Sequence, residues 1–138
     1  MRLYRLPTTN GIDDLTLLEE APPVPGRGQV LVRMRAAALN YRDLMVATGR
    51  FSQGAAPTAL IPMSDGAGEV AAIGDGVDRV AVGDRVAPTF MQAWLGGPLQ
   101  ARYNVTALGG NLDGVLAEYR VLDQDGVVHI PAALSFEE

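Results

Sequence analysis

Short valine-rich runs separated by glycine and aspartate constrain this chain more than any other feature. Four of them follow one another in its second half: GEVAAIG, DRVAVGDRVAPTF, VLAEYRVL and GVVHIP. The turn signals between these runs leave room for strands and little room for helices. Such closely spaced short strands are typical of a small β-sandwich or β-barrel. The sequence therefore predicts a mainly β fold.

The first part of the chain adds further β-structure. The runs RLYRL and LTLLEE flank a turn-rich stretch that contains Asn10-Gly11, a strong signal for chain reversal, so we expect a hairpin. In the run VLVRMRAAA the apolar Val30, Val32 and Met34 alternate with arginines. This alternation predicts a half-buried strand.

The stretch NYRDLMVAT changes to a helical rhythm. Asn40 is a suitable N-cap, Asp43 is favourably placed in the first turn, and Gly49 is a stop signal. We expect one short helix around residues 40–48. Residues 91–114, hereafter the long loop, contain five glycines and no clear period, which predicts little regular structure.

Length and composition exclude several classes of function. A chain of 138 residues is enough for one domain with a core, and its net charge of −5 gives no basic surface for nucleic acid. The longest uncharged run, residues 86–101, is too short for a bilayer and contains two prolines, and the N-terminus lacks a secretory signal. We therefore expect a cytoplasmic protein with no membrane partner. The absence of cysteine excludes disulfides, thiolate nucleophiles and every zinc site that uses cysteine.

The last residues carry a helix start signal. In SFEE, Ser135 precedes Glu138 by three positions, which is the spacing of a capping box. We therefore expect residues 1–134 to form the domain, residues 135–138 to begin a helix, and the natural polypeptide to continue. The alternative is a frayed acidic tail.

The stretch from Gly66 to Ala71 formally fits the G-x-G-x-x-A pattern of dinucleotide-binding folds. That fingerprint needs a helix after the glycines, whereas the next turn signal, Gly74-Asp-Gly76, leaves room only for a strand. We therefore expect these small residues to let a strand pass close to a neighbouring backbone or turn a barrel corner.

Three stretches together resemble a known superfamily. GAGEVAAIGDGVDRVAVGDRV, NYRDLMVATGRF and GVLAEYRVLDQDGVVHIPAALSFEE are similar, in family order, to segments of the medium-chain alcohol dehydrogenases and quinone oxidoreductases. The resemblance covers nearly the whole chain from Gly26 onward. It implies a GroES-like, partly open β-barrel at the start of the catalytic domain. It also implies that the family's Rossmann domain, which follows this part, is absent from this chain.

The chain departs from the zinc-dependent branch of this superfamily. There the position of Asn40 is a cysteine ligand of the catalytic metal, and the positions of Ser64 and Asp65 are a histidine and a glutamate. The structural-zinc lobe, with four closely spaced cysteines, corresponds to the region after Phe90, which has none here. One carboxylate cannot hold a tetrahedral site, so the resemblance implies the zinc-independent, quinone-oxidoreductase-like branch with no metal.

The resemblance also supplies candidate site residues. It implies that NADP(H) or NAD(H) transfers the hydride and that the start of the helix faces the cofactor and substrate, with Asn40, Tyr41 and Asp43 as catalytic candidates. Ser64 and Asp65 would line the same cleft. Each residue also has a structural alternative. Asn40 would be only a helix cap, Tyr41 a packing residue, and Asp43 a charge that complements the helix dipole or pairs on the surface. Ser64 and Asp65 would be turn residues.

The long loop and the strand next to the C-terminus supply the remaining candidates. Phe90, Trp94 and Leu95 are expected to form an apolar substrate wall, although Trp94 has the alternative of anchoring the loop. His129, the only histidine, lies among apolar residues, and we treat it as structural.

These features predict the substrate-side domain of a zinc-free oxidoreductase acting on a small-molecule quinone, enone, carbonyl or alcohol. We expect the full-length protein to be a homodimer, and this chain to be inactive alone and to expose an apolar face. The alternatives are a GroES-like binding module, including a co-chaperonin-like subunit, and a small-molecule binder without turnover.

Overall fold

A computed structural model gives the structure of the chain and describes residues 1–51 and 59–138. Within these residues the chain is mainly β, as predicted. In chain order the strands and α-helices are β1 (Arg2–Arg5), β2 (Thr16–Glu19), β3 (Gln29–Ala38), α1 (Tyr41–Ala47), β4 (Asp65–Ile73), β5 (Arg85–Pro88), α2 (Ala101–Asn104), β6 (Tyr119–Asp123) and β7 (Val127–His129). Short 3-10 turns occupy Ile12–Asp14 and Gln124–Gly126.

The strands form two open sheets. Strands β1 and β2 form one, and the other has the order β6-β3-β4-β5-β7, with antiparallel pairing throughout. In this five-stranded sheet β6 and β7 are the edge strands, so the sheet does not close on itself. An open antiparallel sheet of this kind agrees with the expected partly open barrel.

The predicted N-terminal hairpin is confirmed. Arg2 lies opposite Glu19, and Arg5 lies opposite Thr16. The connection is longer than a tight turn at Asn10-Gly11, because a 3-10 turn follows it. The Tyr4 N–H donates to the Leu116 carbonyl oxygen at 3.0 Å, which ties the hairpin to the segment before β6.

Alternation along the central strands builds the core. Val30 and Val32 of β3 are fully buried, and Met34 packs against the same cluster while half-buried. Val70 of β4 and Val86 of β5 supply the neighbouring layer and are also fully buried. The predicted half-buried strand therefore forms, with its arginines on the opposite face.

The glycines of the GAG stretch lie in β4 and bring it close to β3. A Cβ at position 68 would overlap the carbonyl oxygen of Arg33, and one at position 66 would press on Met34 and the Ala36 carbonyl oxygen. No helix follows these glycines, because β4 continues to Ile73. The expected structural role of the glycines is confirmed.

Helix α1 begins and ends as predicted. Its N-cap is Asn40, whose backbone N–H donates to Asp43 Oδ2 at 2.8 Å. Gly49 follows the helix with φ 68°, a conformation that glycine adopts without steric cost. In the described part of the chain, no helix is long and apolar enough to span a membrane.

The long loop carries little regular structure, as predicted, yet it contributes to the core. Its one helix is the four-residue α2. The Leu108 N–H donates to the Phe90 carbonyl oxygen at 3.0 Å, and the Gly114 N–H donates to the Ile61 carbonyl oxygen at 2.6 Å. Leu108 itself is buried in the main hydrophobic cluster, which the sequence did not predict.

The C-terminal residues form half of the expected capping interaction. The Ser135 N–H donates to Glu138 Oε2 at 2.9 Å, and this bond lowers the pKa of the Glu138 carboxyl. Residues 131–138 are not helical. A helix that begins at Ser135 therefore stays a prediction.

Candidate functional site

The end of β3 and the start of β4 bring three of the predicted site residues together. Ala38 pairs with Asp65 across the two strands, and Asn40 follows two residues later as the cap of α1. The Asn40 side-chain amide donates to Asp65 Oδ2, and the Ser64 hydroxyl donates to the same oxygen at 3.4 Å. Ser64 is buried, whereas Asn40 and Asp65 are exposed. The Asp65 carboxylate is therefore the centre of a small polar cluster.

Asp43 lies one helical turn after Asn40 and is half-buried. Burial raises the pKa of its carboxyl, while the bond from the Asn40 N–H and the charge of Arg42 oppose that rise. Its Oδ1 is buried and has no hydrogen-bond partner among the described residues. A carboxyl group in such surroundings is easier to keep protonated, and a protonated carboxyl can donate a hydrogen bond.

An apolar cavity lies beside the start of the helix. It has a volume of about 460 Å³, and Asn40, Tyr41 and Asp43 contribute to its lining. Tyr41 is 73% exposed, so its ring is not a buried packing residue. The apolar part of the wall comes from the N-terminal hairpin and its surroundings, including Leu6, Ile12, Leu15, Leu39, Leu44 and Leu116.

The predicted apolar wall lies elsewhere. Phe90, Trp94 and Leu95 do not line the 460 Å³ cavity. Trp94 stacks on Tyr103 with ring centroids 6.5 Å apart, and its indole N–H donates to the Gly97 carbonyl oxygen at 3.1 Å. These contacts agree with the alternative in which Trp94 anchors the loop. Leu95 is exposed.

Arg42 is the main residue of this region that the sequence did not indicate. Its guanidinium lies between the rings of Phe51 and Phe90, at 4.4 and 4.8 Å from their centroids. Its Nη1 donates to the carbonyl oxygens of Leu108 and Gly109 at 3.0 and 3.2 Å. Burial lowers the pKa of the guanidinium. No local pattern reveals Phe90, Leu108 or Gly109 as partners, because they lie far from residue 42 in the sequence.

His129 also has a partner that spacing did not reveal. Its Nε2 lies 3.0 Å from Asp84 Oδ2, a partner that the sequence did not indicate. His129 is exposed on β7, and Asp84 lies directly before β5, the strand that pairs with β7. The Ala81 N–H, and then His129, hold the pKa of the Asp84 carboxyl below its usual range. Asp65 and His129 both line a second cavity, of about 430 Å³.

The residues at the cluster do not fit a catalytic zinc site. Among residues 1–51 and 59–138 there is no group of three or more His, Cys, Asp or Glu side chains that could hold a metal ion. The Asn40 amide nitrogen, which cannot serve as a ligand while it donates, points its N–H to Asp65. The Asp65 carboxylate is already hydrogen-bonded by an amide and a hydroxyl.

The hairpin, the open five-stranded antiparallel sheet and helix α1 define a GroES-like β domain. Residues 26–132 match the alcohol dehydrogenase GroES-like domain family. The chain belongs to this family, and with it to the medium-chain superfamily of alcohol dehydrogenases and quinone oxidoreductases.

The relatives include both an alcohol dehydrogenase-like protein and a quinone oxidoreductase. The chain is 39% identical over 132 residues to a zinc-type alcohol dehydrogenase-like protein of Schizosaccharomyces pombe, covering 94% of this chain and 37% of that protein. It is 34% identical over 128 residues to a quinone oxidoreductase of Pseudomonas aeruginosa, covering 93% of this chain and 33% of the relative. A cobalt- and zinc-bound alcohol dehydrogenase from Pyrobaculum aerophilum superposes with a TM-score of 0.81 at 31% identity, covering 100% of this chain and 43% of the solved chain.

The chain thus spans well under half the length of the relatives it matches. It corresponds to their N-terminal portion, and the parallel sheet of a Rossmann domain is not present in the described residues. The absence of the Rossmann domain from this chain, expected from the sequence, is confirmed.

Proposed function

We propose that this chain is the substrate-side domain of a zinc-free NAD(P)(H)-dependent oxidoreductase. Its substrate would be a quinone, an enone, another carbonyl compound or an alcohol. The observation that carries the proposal is the hydrogen bond from the Asn40 amide to Asp65, at the positions where the zinc-dependent branch is expected to have a cysteine and a glutamate. Membership of the family supports the oxidoreductase class.

The nicotinamide cofactor supplies the hydride when bound, and residues outside this chain would hold most of it. The chain's own residues bind and orient the acceptor. The 460 Å³ cavity offers a mainly apolar lining, and an acceptor that displaces water from it would strengthen each polar contact made there. An acceptor of mainly apolar character suits this cavity best.

Three side chains at the cavity have the chemistry to act on a carbonyl oxygen. The Tyr41 hydroxyl can donate to the oxygen that gains charge, and Asn40 is oriented by its bond to Asp65. Burial raises the pKa of the Asp43 carboxyl, which favours its protonated form, and a protonated carboxyl can donate a proton or a hydrogen bond. Ser64 supports the Asp65 carboxylate from the buried side. Phe90 does not line the 460 Å³ cavity, and its ring lies against the Arg42 guanidinium instead.

Further parts of the proposal concern the whole protein. We expect residues 135–138 to begin a helix that links residues 1–134 to a cofactor domain, and the complete protein to be a cytoplasmic homodimer without nucleic-acid or membrane partners. The 138-residue chain alone should have no turnover, because the residues that would bind the nucleotide are not in it.

The first experiment is the intact mass of the protein from its native source, compared with the 14.6 kDa of this chain. The isolated protein is then assayed with NADH and NADPH against 1,4-benzoquinone and 2-cyclohexen-1-one, before and after treatment with 1,10-phenanthroline. We expect a mass more than twice as large, NAD(P)H-dependent reduction, and no loss of activity with the chelator. Stoichiometric zinc with chelator-sensitive activity would overturn the zinc-free mechanism, and turnover by the 138-residue chain would overturn its predicted inactivity.

One observation favours a second candidate, a binding module without turnover. The 460 Å³ cavity and its polar residues are formed entirely within this chain, so ligand binding needs no second domain. A native mass equal to that of this chain, together with saturable binding of 1,4-benzoquinone and no turnover, would favour this candidate.

A further inference from the structure

The geometry points to Arg42 as a positioning residue that fixes Phe90 and the turn at residues 108–110 to the helix carrying Asn40, Tyr41 and Asp43. The meaning of this positioning for catalysis rests on the proposed function, which makes Asn40, Tyr41 and Asp43 site residues. The attachment of the long loop by Arg42 depends only on the contacts in this chain.

Arg42 joins segments that are distant in sequence. It stacks between Phe51, just after the helix, and Phe90, at the end of the segment after β5. Its Nη1 also bonds both carbonyl oxygens of Leu108 and Gly109. A planar guanidinium can stack on its faces and donate from its edge at the same time, whereas an ammonium group cannot. The site thus requires arginine in particular.

The long loop is shaped to receive the guanidinium. A Cβ at position 110 would overlap Arg42 Nη2, so the glycine there leaves the space that the guanidinium occupies. The Leu108 N–H donates to the Phe90 carbonyl oxygen, so the two segments that contact Arg42 also bond each other. Arg42 therefore closes a ring of contacts formed by the helix, Phe90 and residues 108–110.

The charge of Arg42 also interacts with two carboxylates of the candidate site. It forms no ion pair with a side chain among the described residues, yet the nearby carboxylates of Asp43 and Asp65 both favour its charged form. In return its charge lowers the pKa of Asp43 and partly offsets the effect of burial. Loss of the charge should therefore change the titration of Asp43 as well as the position of the loop.

Hydrogen exchange tests the positioning role without any enzyme assay. In this chain we expect Arg42→Met to speed exchange of the Leu108 amide at least tenfold, and Arg42→Lys to speed it as well because the double donation and stacking are lost. Gly110→Ala, which displaces the guanidinium and leaves the charge in place, should act in the same direction. Amides of Val30 and Val32 in the central strand report whether the fold is retained.

The matched control is Arg102→Met. Arg102 also lies over an aromatic ring, that of Tyr103 at 5.0 Å, but it is exposed and in the same long loop. We expect no change at Leu108 in this variant. Unchanged Leu108 exchange in Arg42→Lys and Gly110→Ala, or an equal increase in Arg102→Met, would overturn the inference.

A kinetic test in the complete native protein addresses the site. With 1,4-benzoquinone as acceptor we expect Arg42→Lys to raise KM about tenfold with kcat within threefold of wild type. Arg42→Met should in addition move the limb of the pH–rate profile assigned to Asp43 to higher pH. A fall in kcat alone, with KM and the pH profile unchanged, would refute positioning. If the wild-type protein shows no NAD(P)H-dependent turnover, the proposed function fails, and the hydrogen-exchange result still decides the role of Arg42 in holding the loop.

Discussion

Gly68 shows how one missing side chain sets the distance between two strands. A Cβ there would overlap the Arg33 carbonyl oxygen, which belongs to a backbone that cannot move aside cheaply. We expect Gly68→Ala to lower the free energy of unfolding by about 1–3 kcal/mol, the usual range for overpacking. Urea denaturation measures the change.

The control is Gly96→Ala, in the long loop. A Cβ at position 96 would meet nothing within 4 Å, so we expect the free energy of unfolding to change by no more than about 0.5 kcal/mol. Equal stabilities of the two variants would contradict the close-approach explanation for Gly68.

Asp43 gives a prediction about pH. Burial raises its pKa in the folded state above the unfolded value, so the folded state binds more protons and this group favours folding less as the pH rises. Asp43→Asn keeps an oxygen that can accept from the Asn40 N–H and removes the titration. We therefore expect the stability of this variant relative to wild type to increase as the pH rises above about 4, the ordinary range of the carboxyl. Denaturant titrations at several pH values test this, and a constant difference between the two proteins would argue against a raised pKa.

For single residues, the sequence predicted the roles that depend on near neighbours in the chain. It missed the roles that depend on partners distant in the sequence. The cap at Asn40 and the glycine after the helix follow from spacing within one turn, and both are present. Arg42 depends on Phe90 and on the turn at residues 108–110, and His129 depends on Asp84. No short pattern encodes such contacts, since only the strand pairing brings them together.

Among the structural elements, the long loop contains both buried and exposed parts. Leu108 is 1% exposed and belongs to the main hydrophobic cluster, whereas Leu99 is 54% exposed. We expect Leu108→Ala to cost about 2–5 kcal/mol of unfolding free energy, because it leaves a cavity in the core. Leu99→Ala should cost no more than about 0.5 kcal/mol. Thermal or urea unfolding of both variants tests this, and similar losses would show that the loop is not anchored through Leu108.

Periodicity predicted most of the elements and could not predict their lengths. The run DRVAVGDRVAPTF gave one expected strand, and only Arg85–Pro88 pairs as β5. The alternation in β3 was clear because one face is buried. The core role of Leu108 was hidden because a loop without a period gives no signal of which side chain points inward.

The whole molecule exposes apolar side chains around the 460 Å³ cavity. Leu39 is 84% exposed, and Ile12, Tyr41 and Leu44 beside it are also exposed. Patches of this kind promote association, so we expect the isolated chain to self-associate as its concentration rises. Leu39→Glu should weaken this association by adding a charge at the centre of the patch.

Val24→Glu is the matched control, because Val24 is 86% exposed and does not line the cavity. Sedimentation velocity over a range of concentrations compares the two variants with wild type. Monomeric wild-type chain at all concentrations, or equal effects of both substitutions, would contradict the role of this surface.

The position of Trp94 makes the chain suited to optical spectroscopy. It is the only tryptophan, and it stacks on Tyr103 within the long loop, so emission excited selectively from tryptophan reports on that loop. Because the chain has no cysteine, a single introduced thiol can carry an acceptor dye at any chosen position. Energy transfer from Trp94 to that dye can therefore follow loop movement during ligand binding without removal of any native residue.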